Sequence, residues 1–272
     1  MEDMKKLAVF LFLGAMLTLR APAQTAPDNA APQATAQQGI QAVENLDHWR
    51  ENLIPMYMND YADLNRYHDA DIALGSPAPN QQRVIFFGDS ITDMWNLDQF
   101  FPGRHYINRG ISGQTTPQML LRFRQDVVDL HPAIVLILAG TNDIAGNTGP
   151  ESIAEIEGNY ASMAELARAN GIRVIFSSVT PINGSRPDWT NFALLRSPRK
   201  ILELNDWLKH YCVAHSLVYL DYYSAMVDGE GRMKADLTID GLHPNAAGFA
   251  IMAPLAQAAI EKAISQPVTV NE

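Results

Sequence analysis

A three-layer α/β/α sandwich around a five-stranded parallel sheet is the fold this sequence predicts. Short apolar runs such as Val84-Ile85-Phe86-Phe87 and Ile134-Val135-Leu136-Ile137-Leu138 have no polar interruption, which suits strands buried on both faces. Helix-length periodic stretches alternate with these runs, the pattern of βα units. The composition, 47% hydrophobic and 18% charged over 272 residues, is that of a globular domain with extensions.

Residues 1–23 read as a secretory signal. Lys5 and Lys6 precede an uncharged apolar run from Leu7 to Leu19, too short for a comfortable membrane span. Ala21-Pro22-Ala23 has the A-x-A form of a cleavage site, so the mature chain is expected to start at Gln24, in a secreted or periplasmic location. An uncleaved anchor is the competing reading, disfavoured by Pro22 and the small residues around it. Residues 24–39, rich in Ala, Gln, Thr and Pro, read as a disordered linker.

Residues 40–80 read as an N-terminal helical extension. Ile40, Val43, Leu46, Trp49, Leu53, Tyr57, Tyr61 and Leu64 have broadly helical spacing, and Pro55 is expected to split it into two segments. The main domain is placed at 81–266, followed by a tail at 267–272. Within it, strands are expected at 83–87, 105–109, 134–139, 173–179 and 217–220. Helices are expected at 117–130, 150–170, 198–215 and 245–264. Gly171 fits a helix C-cap before the fourth strand. Cys212, the only cysteine, sits in an apolar helical pattern and reads as core. The formal net charge of -10 and the absence of a Lys/Arg cluster argue against nucleic acid as a partner.

Four stretches fall at predicted strand ends or just before the last helix. They are Gly88-Asp89-Ser90-Ile91, Asn108-Arg109-Gly110-Ile111-Ser112-Gly113, Gly140-Thr141-Asn142-Asp143 and Asp240-Gly241-Leu242-His243-Pro244-Asn245. Open α/β sheets place ligands at such ends. Singly, each has a plain structural account: Ser90 as an N-cap, Asn142 and Asp143 as caps, Asp240-Gly241 as a turn. Together, and in this order, they resemble the SGNH or GDSL hydrolase family. The carrying residues are Ser90 in GDSIT, Gly110 in NRGISG, Asn142 in GTND, and Asp240 with His243 in DGLHP. The resemblance spans residues 83–264, and the run RGISGQTTPQMLLRF looks most like the platelet-activating-factor acetylhydrolase-like branch. It implies a flavodoxin-like hydrolase fold and a serine esterase.

The residues themselves supply a chemistry for that reading. Acyl transfer needs a nucleophile, a base, a group orienting the base, and donors for the oxyanion. Ser90 supplies the hydroxyl and His243 the base, with Asp240 three residues earlier to fix its tautomer. The oxyanion donors expected are the backbone N–H groups of Ser90 and Gly110 and the side-chain amide of Asn142. No H-E-x-x-H, Cys/His ligand spacing or phosphate-binding loop occurs, so neither a metal nor a cofactor is expected.

The substrate side is thinner. Trp95 follows the nucleophile turn, and Trp189 and Phe192 lie in the long connection at 181–198. All three are candidates to hold an acyl group or stack on a sugar. The expected substrate is a short-chain acyl ester, acetyl foremost, on a small molecule or carbohydrate. An acyltransferase using the same residues and a non-catalytic glycan-binding module are the alternatives.

Overall fold

The computed structural model describes residues 36–266. The expected signal at 1–23, the tail at 267–272 and most of the expected linker lie outside the described residues. Helix α1 (Ala36–Asn59) begins inside the stretch read as linker. Ala36, Gln37 and Gln38 are good helix formers, and their low-complexity context hid that. Pro55 does not divide α1. Its missing N–H leaves only the Glu51 carbonyl unpaired, and both residues sit on the exposed side where water can serve. A short helix α2 (His68–Leu74) completes the extension.

The main domain then runs β1 (Val84–Gly88), α3 (Ser90–Asp93), α4 (Leu97–Phe100), β2 (Ile107–Gly110), α5 (Thr116–Asp126), β3 (Ile134–Leu138), α6 (Thr141–Ala145), α7 (Ile153–Ala169) and β4 (Arg173–Ser177). It continues with α8 (Thr190–Leu195), α9 (Pro198–Ala214), β5 (Val218–Leu220), α10 (Tyr223–Met226) and α11 (Ala246–Ser265). All strand pairs are parallel, in the order β2-β1-β3-β4-β5. The five expected strands are therefore present.

Strand side chains alternate between two buried layers. Ile85, Phe87, Val135, Ile137 and Phe176 pack with Met119, Phe123, Tyr160 and Leu204 on one face. Phe86, Leu136, Ile175 and Val218 pack with Met252, Ala256 and Ile260 of α11 on the other. Cys212 is buried in the first layer, and burial pushes its thiol up to about 12, consistent with packing.

This strand order reverses direction between β1 and β3, where ligand crevices form in such sheets. In register, Gly88 of β1 faces Gly110 of β2 and Leu138 of β3. The residues that follow these three positions therefore meet at one end of the sheet. Arg122, fully buried on α5, ties that end together. It donates to the carbonyls of Gly88 (3.0 Å) and Arg109 (2.9 Å), pairs with Asp126, and reaches the Gln114 side chain.

Candidate active site

Ser90 is the first residue of α3, directly after the Asp89 cap. The Asp89 carboxylate accepts from the Ile91 N–H, so the cap of this helix is Asp89 and Ser90 is free of that duty. Asp240 Oδ1 accepts from the backbone N–H groups of Leu242 (3.0 Å) and His243 (2.8 Å), which folds the DGLHP stretch into a tight turn. The turn brings Asp240 Oδ2 to 2.7 Å from His243 Nδ1. His243 Nε2 then stands 2.9 Å from Ser90 Oγ.

Partial burial alone would raise the Asp240 pKa. The hydrogen bonds from the His243 ring and from the two backbone N–H groups outweigh it and hold the carboxyl at about 2. An ionised carboxylate can only accept, so Nδ1 carries the proton and Nε2 is left to accept from the serine hydroxyl.

Asn142 stands beside this series at the start of α6. Its Nδ2 donates to the Gln114 carbonyl at 3.0 Å, and its Oδ1 accepts from Arg196 Nη2 at 2.9 Å. Arg196 thereby fixes which end of the amide faces the cavity, leaving one N–H of Nδ2 available. Arg196 also donates to Thr141 Oγ1 and makes no ion pair among the described residues. Burial lowers its pKa to about 10, so it remains a cation at neutral pH.

Gly110 is a correction. Its N–H donates to Asn108 Oδ1 at 2.8 Å and is not presented to the cavity. Gly110 is a glycine because a Cβ there would overlap the backbone nitrogen of Asp93, where α3 crosses β2. Gly113, three residues on, lines the cavity together with Ser90 and Asn142. Its φ is +81°, and its N–H has no partner among the described residues. The Ser90 N–H is likewise unpartnered among them.

Two of the three aromatic candidates are also corrected. Trp95 is 3% exposed and stacks on Phe249 at 5.1 Å, inside the core under α11. Trp189 is also 3% exposed, covered by the Arg186 guanidinium and packed beneath Gly241. Both were drawn into packing because large aromatics dominate cores. Phe192 does line the cavity, with its ring edge-on to His243 at 5.8 Å. The cavity encloses about 520 Å³, and Ala42, Leu46 and Trp49 of α1 form part of its wall.

The model of the GDSL-like Lipase/Acylhydrolase family matches residues 86–251, which include every residue of this constellation. The chain belongs to that family. These acylhydrolases are carboxylic ester hydrolases. The crystal structure of a GDSL-like lipase from Bacteroides thetaiotaomicron is 44% identical, with a TM-score of 0.70, covering 75% of this chain and 99% of its own. Esterase TesA of Pseudomonas aeruginosa is 26% identical over 183 residues, 60% of this chain and 80% of TesA. A lipoprotein of Bacillus subtilis, YqeF, is 29% identical over 130 residues; the chain spans 54% of its length.

In this GDSL-like acylhydrolase, Arg196, Gly113 and Trp49 also line the cavity. Arg196 and Trp49 act from segments remote from the motifs. The signal for Gly113 is the second glycine of NRGISG, which lines the cavity where the first does not.

Asp89 carries a stability prediction. It is fully buried, and burial pushes its carboxyl up to about 6 against an ordinary 3.8, despite the Ile91 N–H and nearby His243 and Arg196. Its Oδ2 has no partner among the described residues. Between about pH 4 and pH 6 the unfolded chain thus binds fewer protons than the folded one, so stability falls as pH rises through that window and stays lower above it. Asp89→Asn keeps the cap acceptor and removes the buried charge. The variant is expected to gain up to about 3 kcal/mol at pH 8 and little below pH 4. Urea unfolding of both proteins at the two pH values measures this; an equal shift at both would refute it.

Proposed function

We propose that this acylhydrolase is a serine esterase acting on short-chain acyl esters through Ser90, His243 and Asp240. The observation that carries the reading is the unbroken series Asp240–His243–Ser90 at 2.7 and 2.9 Å, with Ser90 and His243 lining a cavity of about 520 Å³. Ser90 Oγ attacks the ester carbonyl carbon as its proton passes to His243 Nε2. The carbonyl oxygen becomes an oxyanion facing the N–H groups of Ser90 and Gly113 and the Asn142 amide. The tetrahedral carbon then expels the alcohol, which takes its proton from Nε2. Water attacks the acyl-serine with Nε2 again as base, and the acid leaves. Asp240 stays ionised throughout and favours the imidazolium.

His243 protonates the departing alcohol, so the alcohol portion lies on the His243 side of the cavity. Phe192 stands beside His243, and Asp188 and Asn191 line the same cavity. An aromatic face bordered by an amide and a carboxylate suits a hydroxyl-rich alcohol, which supports a carbohydrate ester as substrate. Hydrolysis of p-nitrophenyl acetate, followed by release of p-nitrophenolate, tests the activity. A panel of acetylated sugars tests the alcohol.

The proposed compartment is outside the cytoplasm. The leader pattern at residues 1–23 supports it, as does the likeness to a protein named a lipoprotein. Mass spectrometry of exported protein is expected to find Gln24 as the first residue; an N-terminus that retains residues 1–23 would overturn this.

A further inference from the structure

We propose that α1 forms the acyl-side wall of the cavity and gives the enzyme a preference for acyl groups longer than acetyl. This inference rests on the serine-esterase reading above. The family model matches residues 86–251, so α1 lies outside it. Yet Ala42, Leu46 and Trp49, spaced i, i+4 and i+7 on one face of α1, line the same cavity as Ser90.

The helix is held there by a specific anchor. Arg50, next to Trp49, donates from Nη2 to the Gly146 carbonyl and from Nε to the Asn147 carbonyl at 3.3 Å. Asn147 Nδ2 in turn donates to the Gly113 carbonyl at 2.9 Å. The Trp49 ring lies against Gly113, where a Cβ would stand 2.8 Å from its Cζ2. Trp49 therefore sits beside the backbone donor for the oxyanion, whereas Phe192 sits beside His243.

These two landmarks orient an ester. The alcohol oxygen must face His243 Nε2 to receive its proton. The acyl substituent on the same carbon must then point away from the imidazole. The surface placed near Gly113 is the α1 wall, where Ala42, Leu46 and Trp49 offer a methylene chain apolar burial beside the Asn45 side chain.

Each methylene buried there should raise kcat/KM by about fourfold. The test is a p-nitrophenyl ester series with acetyl, propionyl and butyryl groups, which holds the leaving group constant. The wild-type ratio of kcat/KM for butyrate over acetate is expected near 16, two such steps. Trp49→Ala is expected to bring that ratio below 4, and Trp49→Phe to retain most of it. Arg50→Met, which releases the anchor without altering the wall, is expected to lower the ratio as well. Neither Trp49 nor Leu46 belongs to the two cores of the sheet, so the domain should remain folded in these variants.

A second series, acetate esters of phenol, benzyl alcohol and a monosaccharide, should keep the same relative rates in Trp49→Ala as in the wild type. Identical acyl dependence in wild type and Trp49→Ala would overturn the inference. So would a change confined to the alcohol series. Failure of the serine-esterase reading looks different: full activity in Ser90→Ala, or no turnover of any ester.

Discussion

Ser90→Ala is expected to lower kcat by roughly 10⁴- to 10⁶-fold while leaving the fold intact. Among the described residues the hydroxyl makes one hydrogen bond, to His243 Nε2, and Asp89 caps the helix in its place. Removing the hydroxyl should therefore change stability by less than about 1 kcal/mol. What remains is catalysis by the oxyanion donors and by binding, which alone leaves a residual of about 10³- to 10⁴-fold over water. A phosphonate ester should label the wild type at Ser90 and leave Ser90→Ala unlabelled. If Ser90 were merely a residue in a strand-to-helix turn, kcat would be little changed. Peptide mass mapping of the label on another serine would also defeat the assignment.

The sheet was legible because its strands are buried on both faces. A run such as Ile134 to Leu138 admits few other readings. The site's position was legible because motifs fell at strand ends, where the register of Gly88, Gly110 and Leu138 converges. Other features depended on three-dimensional neighbours. Pro55 reads as a break until one sees that it and Glu51 lie on the exposed side of the helix. Gly110 and Gly113 look alike in NRGISG. They part only when the Gly110 N–H is found donating to Asn108 while Gly113, under the Trp49 ring, lines the cavity with its N–H unpartnered among the described residues. Trp95 and Trp189 lie close in sequence to site residues, but their rings point into packed interior. Trp49 and Arg196 reach the cavity from α1 and from the connection at 181–198, and no local pattern announces either.

Electrostatics at the site follow the same logic of neighbours. Asp89 and Asp240 are both carboxylates near His243, and their environments separate them. Asp240 receives three hydrogen bonds and is held at about 2, while Asp89 receives one and rises to about 6. The carboxylate ionised across the working range is therefore the one that touches the imidazole.

That arrangement makes Asp240→Asn the informative counterpart of the serine variant. Its kcat is expected to fall by about 10³- to 10⁴-fold, and that of His243→Ala by at least as much. An asparagine oxygen at Oδ1 can still accept from the Leu242 and His243 N–H groups, so the turn persists. Its amide N–H₂, however, would face His243 Nδ1. That forces Nδ1 to accept and places the proton on Nε2, the wrong tautomer to take a proton from Ser90. The loss should thus appear in kcat, with the turn and the fold retained. Residues that act as one unit are not additive, so the Asp240→Asn, His243→Ala double variant should be no worse than His243→Ala by more than a few-fold. Near-normal kcat in both single variants, or a double variant whose loss is the product of the two, would show that the three residues do not work as a unit.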